Sequence, residues 1–543
     1  MNRRYFIKAL GAALGATTTR AAFQSSPEFD FIVVGAGSAG CVVANRLSAD
    51  PKARVLLLEA GTPNSSDPAI TTPGRWVTLI GSAFDWGYAT EPEPGLNARR
   101  LTFPRGKVIG GSSAINAMAY IRGHRLDFDR WQRAGNVGWG YDTVLPVFRR
   151  IEDNSRGASE HRGAGGPLRV SDCLDPHAGH AAFLAAAAEL GYKANAAWDF
   201  NVPAFEDAAG YYQKNIKDGR RHSAAEAFLL PVLARPNLRV LTRAHATTLI
   251  IEGKRVVGIE YAREGRRERV RAAREIILCG GVIDSPKLLM LSGIGPADHL
   301  RAMRIPIVLD LPGVGSNLQD HLKLSIRWNG RTTLPPSTVT AGMFVRSRSA
   351  AREALAAPAA PAAPEAPAPL EAPDLQFYVG RGLDQPDRFV TITVSLVRPR
   401  SRGEVRLRSA DPMAAPAIRG NYLSEAADVA ALVEGVRLTR ALGNSRAYDS
   451  LRLDEIEPGA AVSTGAAVAE FARRACDTIY HPAGTCRMGS DDRAVVDARL
   501  RVRGIEGLRI ADASVMPDVV SATTHATCVM IGDRAADFVL GDA

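Results

Sequence analysis

A chain of 543 residues is long enough for two lobes with substantial cores, and 46% hydrophobic against 23% charged residues is ordinary globular composition. No apolar run reaches the roughly 18 residues of a membrane helix, which excludes a transmembrane span in the mature protein. The formal charge of +10 is dispersed through mixed-sign stretches such as 263–274 (REGRRERVRAAR), read as a solvated, charge-laced strand pair, and no aromatic-rich basic motif accompanies it, so nucleic acid is excluded as a partner.

Residues 2–8 read NRRYFIK and precede a mild apolar stretch. Paired arginines, an aromatic two residues later and a lysine form the pattern of a twin-arginine export signal, predicting 1–26 as a signal segment and a periplasmic or exported protein. The next stretch organises the rest. An apolar run at 31–34 leads into Gly35, Gly37 and Gly40, a helical pattern to Leu47 and a second apolar run at 55–58 ending in Glu59. This is a βαβ unit with G-x-G-x-x-G spacing. The first glycine allows the tight turn, the second lets backbone approach a pyrophosphate, and the third lets helix pack on strand. Glu59 stands where a carboxylate accepts hydrogen bonds from a ribose diol and repels a 2′-phosphate, which favours FAD or NAD over NADP. The pattern does not recur, so a separate NAD(P)H site is not expected and electrons come from an organic substrate.

Residues 61–105 carry Trp76, Trp86 and Tyr88 with little periodicity and read as extended loops over a cofactor. The string RGKVIGGSSAIN at 105–116 follows, where Gly110, Gly111, Ser112 and Ser113 let backbone amides approach a flat or anionic group. A helix is predicted at 181–190, an antiparallel meander at 245–272, a strand at 275–279 running into Gly280-Gly281, and a helix from Ser285. The Ala/Pro-rich stretch 350–373 is a linker or surface insertion. Strand-like alternation resumes at 398–423, and 424–442 is helical in pattern. The last segments are YHPAGTCRMG at 480–489, LRIADAS at 508–514 and SATTHAT at 521–527. The six cysteines have no C-x-x-C spacing, so neither a metal site nor a disulfide framework is read from them.

These strings together resemble the glucose–methanol–choline family of FAD oxidoreductases over residues 29 to about 539. The carriers are 106–116, 285–295 with Val282 where a small residue is more usual, 312–321 (PGVGSNLQDH) and 480–489. The resemblance implies an α/β chain: a Rossmann-type FAD lobe from about 27–170, 220–320 and 480–540, and a substrate lobe, mainly 325–475, with an antiparallel sheet and flanking helices. In family terms the divisions are 27–324, 325–396 and 397–540. The implied FAD contacts are Gly35, Gly37, Ser38, Gly40, Glu59, Arg105, Val108, Gly110, Gly111, Ser112, Asn116, Ala117, Gly280, Asp512, Ala513 and Thr527. Ile115 stands where some choline-oxidising members carry a histidine bonded to the flavin, so non-covalent FAD is expected.

The resemblance also implies a catalytic pair, His481 facing the flavin and His525 as second member. Oxidising an alcohol removes a hydride, which flavin N5 accepts, and a hydroxyl proton, which needs a base; histidine has a suitable pKa. A second histidine can hold the hydroxyl oxygen as charge develops. His481 is taken as base and His525 as partner, with the reverse assignment open; His321, although inside a family string, is given no catalytic role. The expected reaction is oxidation of a small alcohol to an aldehyde or ketone, with electrons leaving to a quinone, a cytochrome or O2, a dehydrogenase being favoured. A hydroxynitrile-lyase-type reaction, a light-driven decarboxylation and an NAD-binding module are the alternatives. Neither the identity of the alcohol nor the oligomeric state is legible.

Overall fold

The structure, a computed structural model, describes residues 28–541 except 174, 336, 348–371 and 381–386. The export signal and nearly all of the Ala/Pro-rich stretch therefore lie outside the described residues. Two sheets dominate the fold.

The first grows from the βαβ unit. Strands Glu28–Val34 and Val55–Leu58 pair in parallel around the helix Gly40–Leu47, and their apolar ends are buried throughout. Leu238–Leu241 adds to the outer edge of Val55–Leu58, while the end of Arg266–Leu278 pairs in parallel with Glu28–Val34 on one side and Leu508–Ile510 on the other. The expected meander is present: His245–Glu252, Arg255–Arg263 and the first half of Arg266–Leu278 pair antiparallel. Arg267 and Arg269 are exposed, but both reach a buried carboxylate, that of Glu260, so the strand pair is less solvated than expected there. One long strand thus belongs to two kinds of sheet: apolar and doubly covered where it is parallel, alternating where one face meets water.

The helix expected from Ser285 starts earlier, spanning Gly281–Leu291 with Pro286 inside it. A serine followed by proline is the usual pattern of a helix start, and that local signal is overridden here. Pro286 has no N–H to give the carbonyl of Val282, and Thr485 Oγ1 supplies a hydrogen bond of 2.6 Å in its place. The extra turn lets the helix begin at Gly280-Gly281, directly after the strand.

The second sheet runs Arg452–Glu457, Leu322–Leu334, Asp387–Leu396, Leu375–Val379, Ala341–Val345, Ala208–Tyr211, Lys193–Ala194, with Asp477–Thr478 on the flank of Leu322–Leu334. It is antiparallel apart from its last pair. Helices Ala178–Glu189, Ala426–Gly443 and Gly465–Ala475 pack on it, close to the ranges expected for the first two. The sheet takes strands from 193–211, outside the 325–475 range assigned to the substrate lobe. Their short, half-polar sequences carry no strand signal; pairing to Ala341–Val345 defines them. Among the described residues no helix is long and apolar enough to cross a membrane, and the cysteines are free.

Candidate active site

The glycine loop shows why each glycine is required. Gly35 has φ +102°, and a Cβ on it would lie 2.5 Å from the carbonyl oxygen of Cys279. A Cβ on Gly40 would lie 1.9 Å from the carbonyl oxygen of Gly35, so helix and turn touch backbone to backbone. Gly37 differs: a Cβ there would meet no protein atom nearer than 4.0 Å and would project into a large cavity that Gly37 lines. The space is kept for a ligand at the start of the Gly40–Leu47 helix, where free amides favour an anion. The 110–114 turn lies directly on this loop, with Gly110 N donating to Ala36 O at 2.7 Å and the missing Cβ of Gly111 leaving room for Gly37 Cα.

At the far end of the cavity Glu59 is buried, accepting from Ala36 N at 2.8 Å and Gly61 N at 2.7 Å. Burial pushes its carboxyl up to about 7. Each oxygen keeps a lone pair for a hydroxyl donor. Trp86 and His245 also line the cavity, edge to face with ring centroids 5.4 Å apart. At the other side Asp512 accepts from Gly281 N (2.9 Å), Ser285 Oγ (2.6 Å) and Ser514 N (2.8 Å), locking the C-terminal strand to the early start of the 281–291 helix. A cavity with glycine-bare backbone, a helix N-terminus and a buried carboxylate fits a dinucleotide, and it adjoins a second cavity.

That second cavity shares Arg105, Asn116, Tyr480, His481 and Thr523 with the first. His481 follows a residue in an unfavourable backbone conformation: Tyr480 has φ +68°, held by Thr478 Oγ1, which accepts from Tyr480 N at 2.7 Å, and by Arg105, which donates to Tyr480 O at 2.7 Å. The backbone N–H of His481 donates to Asp320 Oδ1 at 2.9 Å, and Asp320 also accepts from Tyr422 Oη and Thr478 Oγ1. Burial raises the Asp320 carboxyl to about 6 despite these donors. The His481 ring meets another imidazole, its Nδ1 lying 3.1 Å from Nδ1 of His321. Burial first, then the neighbouring His321 and Arg105, hold His481 well below the usual histidine range. Burial likewise takes His321 down to about 3.

His525 sits in the first turn of the helix Thr524–Leu540 and also lines the larger cavity. Its Nδ1 lies 3.0 Å from Ser38 Oγ in the glycine loop, and burial takes its pKa to about 4. Both histidines thus line the larger cavity, His481 in contact with the ring of His321 and His525 with Ser38 of the glycine loop. Thr523, two residues earlier, is the member of that segment that reaches the wall common to both cavities.

Of the residues singled out in the sequence, Gly35, Gly37, Ser38, Glu59, Arg105, Gly111, Ser112, Asn116, Ala117, Gly280, Asp512, Ala513 and both histidines line the larger cavity. Gly40, Val108, Gly110 and Thr527 stand behind it: Val108 is fully buried in an apolar cluster with Ile70, Leu79 and Ile115, and Thr527 Oγ1 donates to Arg122 O at 2.8 Å. Sequence reasoning missed Arg221, fully buried, which donates to Asn116 O (2.6 Å), Asn116 Oδ1 (2.8 Å) and Ser113 O (3.2 Å) and fixes the 113–116 turn. His321, placed in a family string but given no role, is the ring in contact with His481. Neither had a signal beyond its neighbours in sequence, because their partners lie more than a hundred residues away.

Comparison with known proteins agrees with this geometry. The N- and C-terminal models described as GMC oxidoreductase match residues 29–323 and 399–532. The chain is 42% identical to the mitochondrial choline dehydrogenase of Mus musculus, over 95% of this chain and 90% of that protein. It is 39% identical to the alcohol dehydrogenase [acceptor] of Pseudomonas putida, over 94% and 96%. Among solved structures it is similar to pyridoxine 4-oxidase from Mesorbium loti, with TM-score 0.85 and 34% identity over 94% of this chain and 98% of that one. With a dinucleotide cavity opening onto a buried, neutral histidine, this chain belongs to the GMC oxidoreductase family and is an FAD-dependent alcohol oxidoreductase.

Proposed function

We propose that the alcohol binds in the second cavity with His481 as the base, that FAD is held without a covalent bond, and that the electrons pass to an acceptor other than NAD. The observation that carries the reading is the His321–His481 contact. With Nδ1 facing Nδ1, one ring donates and the other accepts. We assign the proton to His481, so that Nδ1–H donates to His321 and the Nε2 lone pair is free for the hydroxyl proton of an alcohol. Burial keeps His481 neutral at neutral pH, so the base is in its active form. When Nε2 takes the proton, the His321 lone pair is already directed at the cation that forms, and Asp320 fixes the backbone that carries it. Bound FAD supplies the hydride acceptor, and loss of proton and hydride from the same carbinol converts it to an aldehyde or ketone. His525, through Ser38, orders the glycine loop.

Ile115, a buried aliphatic residue in the wall of the second cavity, offers no nucleophile to the flavin, which supports non-covalent binding. The similarity to an alcohol dehydrogenase [acceptor] supports a dehydrogenase over an oxidase. The N-terminal arginine pair supports export after the cofactor is loaded, since the twin-arginine route carries folded proteins.

Anaerobic addition of primary, benzylic and polyol alcohols, each with and without a carboxylate or phosphate group, to the FAD-loaded protein tests the reading. Bleaching of the flavin band by one class is expected, with slow return of colour in air. A bound flavin that no alcohol bleaches refutes it. Acid precipitation is expected to release all the flavin into the supernatant.

A further inference from the structure

Lys214 is 5% exposed, lies in the wall of the second cavity, and has no carboxylate and no hydrogen-bond acceptor on its ammonium among the described residues. Its backbone is fixed, exchanging hydrogen bonds of 2.9 Å with Ser171 in both directions, which anchors the Cα from which the side chain extends. A buried cation with no counter-charge is unfavourable in an apolar surround: burial lowers the Lys214 pKa, and an anionic ligand beside the amine would favour its charged form. The rest of the wall has the same sign. Arg105 and Lys323 line the same cavity, and no aspartate or glutamate does among the described residues. Arg105 is committed to the Tyr480 and Pro104 carbonyls, and Lys323 Nζ lies 3.3 Å from Asp477 Oδ2 toward solvent. Lys214 alone of the three is unspent.

Resting on the reading above, we infer that the alcohol substrate of this chain carries an oxyanion group, a carboxylate or a phosphate, which pairs with Lys214 while the carbinol faces His481. Among the described residues a quaternary ammonium such as choline would meet basic side chains and no acid in this wall, a specificity unlike that in the name of the mouse relative. The charged pair also selects between substrates, since a neutral isostere leaves the ammonium bare.

The test uses the FAD-loaded protein and probes that cannot be oxidised: benzoate, phenyl phosphate, benzamide and benzyltrimethylammonium, titrated by calorimetry. One of the two anions is expected to bind about tenfold or more tightly than benzamide, as a charge-assisted hydrogen bond in a buried site predicts. The tighter anion identifies the group, and the ammonium probe is expected to give no heat of binding. Lys214→Gln should reduce the anion to the benzamide level at unchanged FAD content, and Lys214→Arg should retain the preference. The Arg variant and the wild-type probe series decide the matter if the Gln variant does not fold. No anion binding, equal binding of benzamide, or an anion preference that survives Lys214→Gln overturns the inference. Flavin bleaching by neutral alcohols without any anion preference overturns it while leaving the proposed function standing. Anion binding through Lys214 with no alcohol able to bleach the flavin does the reverse.

Discussion

The two cavities meet at His481 but are built in opposite ways. The larger one is walled by turns at the ends of neighbouring parallel strands, and glycines, a buried carboxylate and a helix start line it. The smaller one collects side chains from the 76–119 loops, from 212–214, from the second sheet, and from the 479–481 and 523 turns. A dinucleotide is bound by a local pattern that any chain must reproduce; an alcohol is bound by a surface that only the finished tertiary structure brings together. Changes to the first should therefore be all-or-nothing, and changes to the second graded.

The glycine loop gives the sharpest test of that contrast. Gly40→Ala forces a Cβ against the Gly35 carbonyl, with no flexible side chain to give way, and soluble folded protein is expected to be lost. Gly37→Ala, three residues earlier, meets no protein atom, so folding and circular dichroism are expected to be normal while the flavin absorbance is absent. If both variants behave alike, the distinction between packing glycine and ligand glycine is wrong. At the junction, His481→Ala should lower kcat by about 10²–10⁴-fold with FAD retained, the usual worth of a positioned base. The wild-type pH profile follows from burial. A histidine whose pKa is lowered stays neutral as pH falls through 6.5, so turnover should be flat from neutrality upward, with its acid limb below the ordinary histidine value. A limb centred at or above about 6.5 would argue against His481 as the titrating base.

A smaller effect is expected one residue further out. His321→Ala removes the acceptor for His481 Nδ1 and should lower kcat by roughly 10–100-fold, the range found when a group orienting a functional imidazole is deleted. His321→Asn, which keeps an acceptor, should recover part of that loss and leave KM unchanged. A merely structural role would move stability and KM together and would not respond to the Asn variant.

These residues mark how far sequence reasoning reaches. Gly35, Gly37, Gly40 and Glu59 were legible because the βαβ unit is local: strand, turn and helix lie within thirty residues, and each glycine has its own steric reason. Asp512, His481 and the 105–116 string were legible through resemblance, since their partners are distant in sequence. The pairing of His481 was not. The resemblance named His525 as its second member, and both rings line the larger cavity; there His525 Nδ1 lies 3.0 Å from Ser38 Oγ, and the ring in contact with His481 is that of His321, 160 positions away. Lys214 and Arg221 carried no signal, because a basic residue in a polar stretch looks solvated until distant segments bury it, for Arg221 the Ile70 and 113–116 carbonyls. The same holds for 193–211, whose strands exist through pairing with Ala341–Val345 and not through their own composition.

The least of the expected effects concerns the helix start, where a local rule and the tertiary structure disagree. Ser285-Pro286 should open a helix, but the helix begins at Gly281 because Thr485 replaces the hydrogen bond that Pro286 cannot make. Thr485→Val keeps the shape of the side chain and removes its donor, leaving the buried Val282 carbonyl unpaired at a cost of about 1–3 kcal/mol. Thermal unfolding should show a lower midpoint, with kcat and flavin content close to wild type, and Thr485→Ser should restore it. Should Thr485→Val instead lose FAD, the extra turn would be needed to hold Asp512 on Gly281 and Ser285, and the helix start would count among the parts that bind the cofactor. In that event the boundary between packing and binding lies inside the 281–291 helix, one turn deeper than the cavity wall alone would place it.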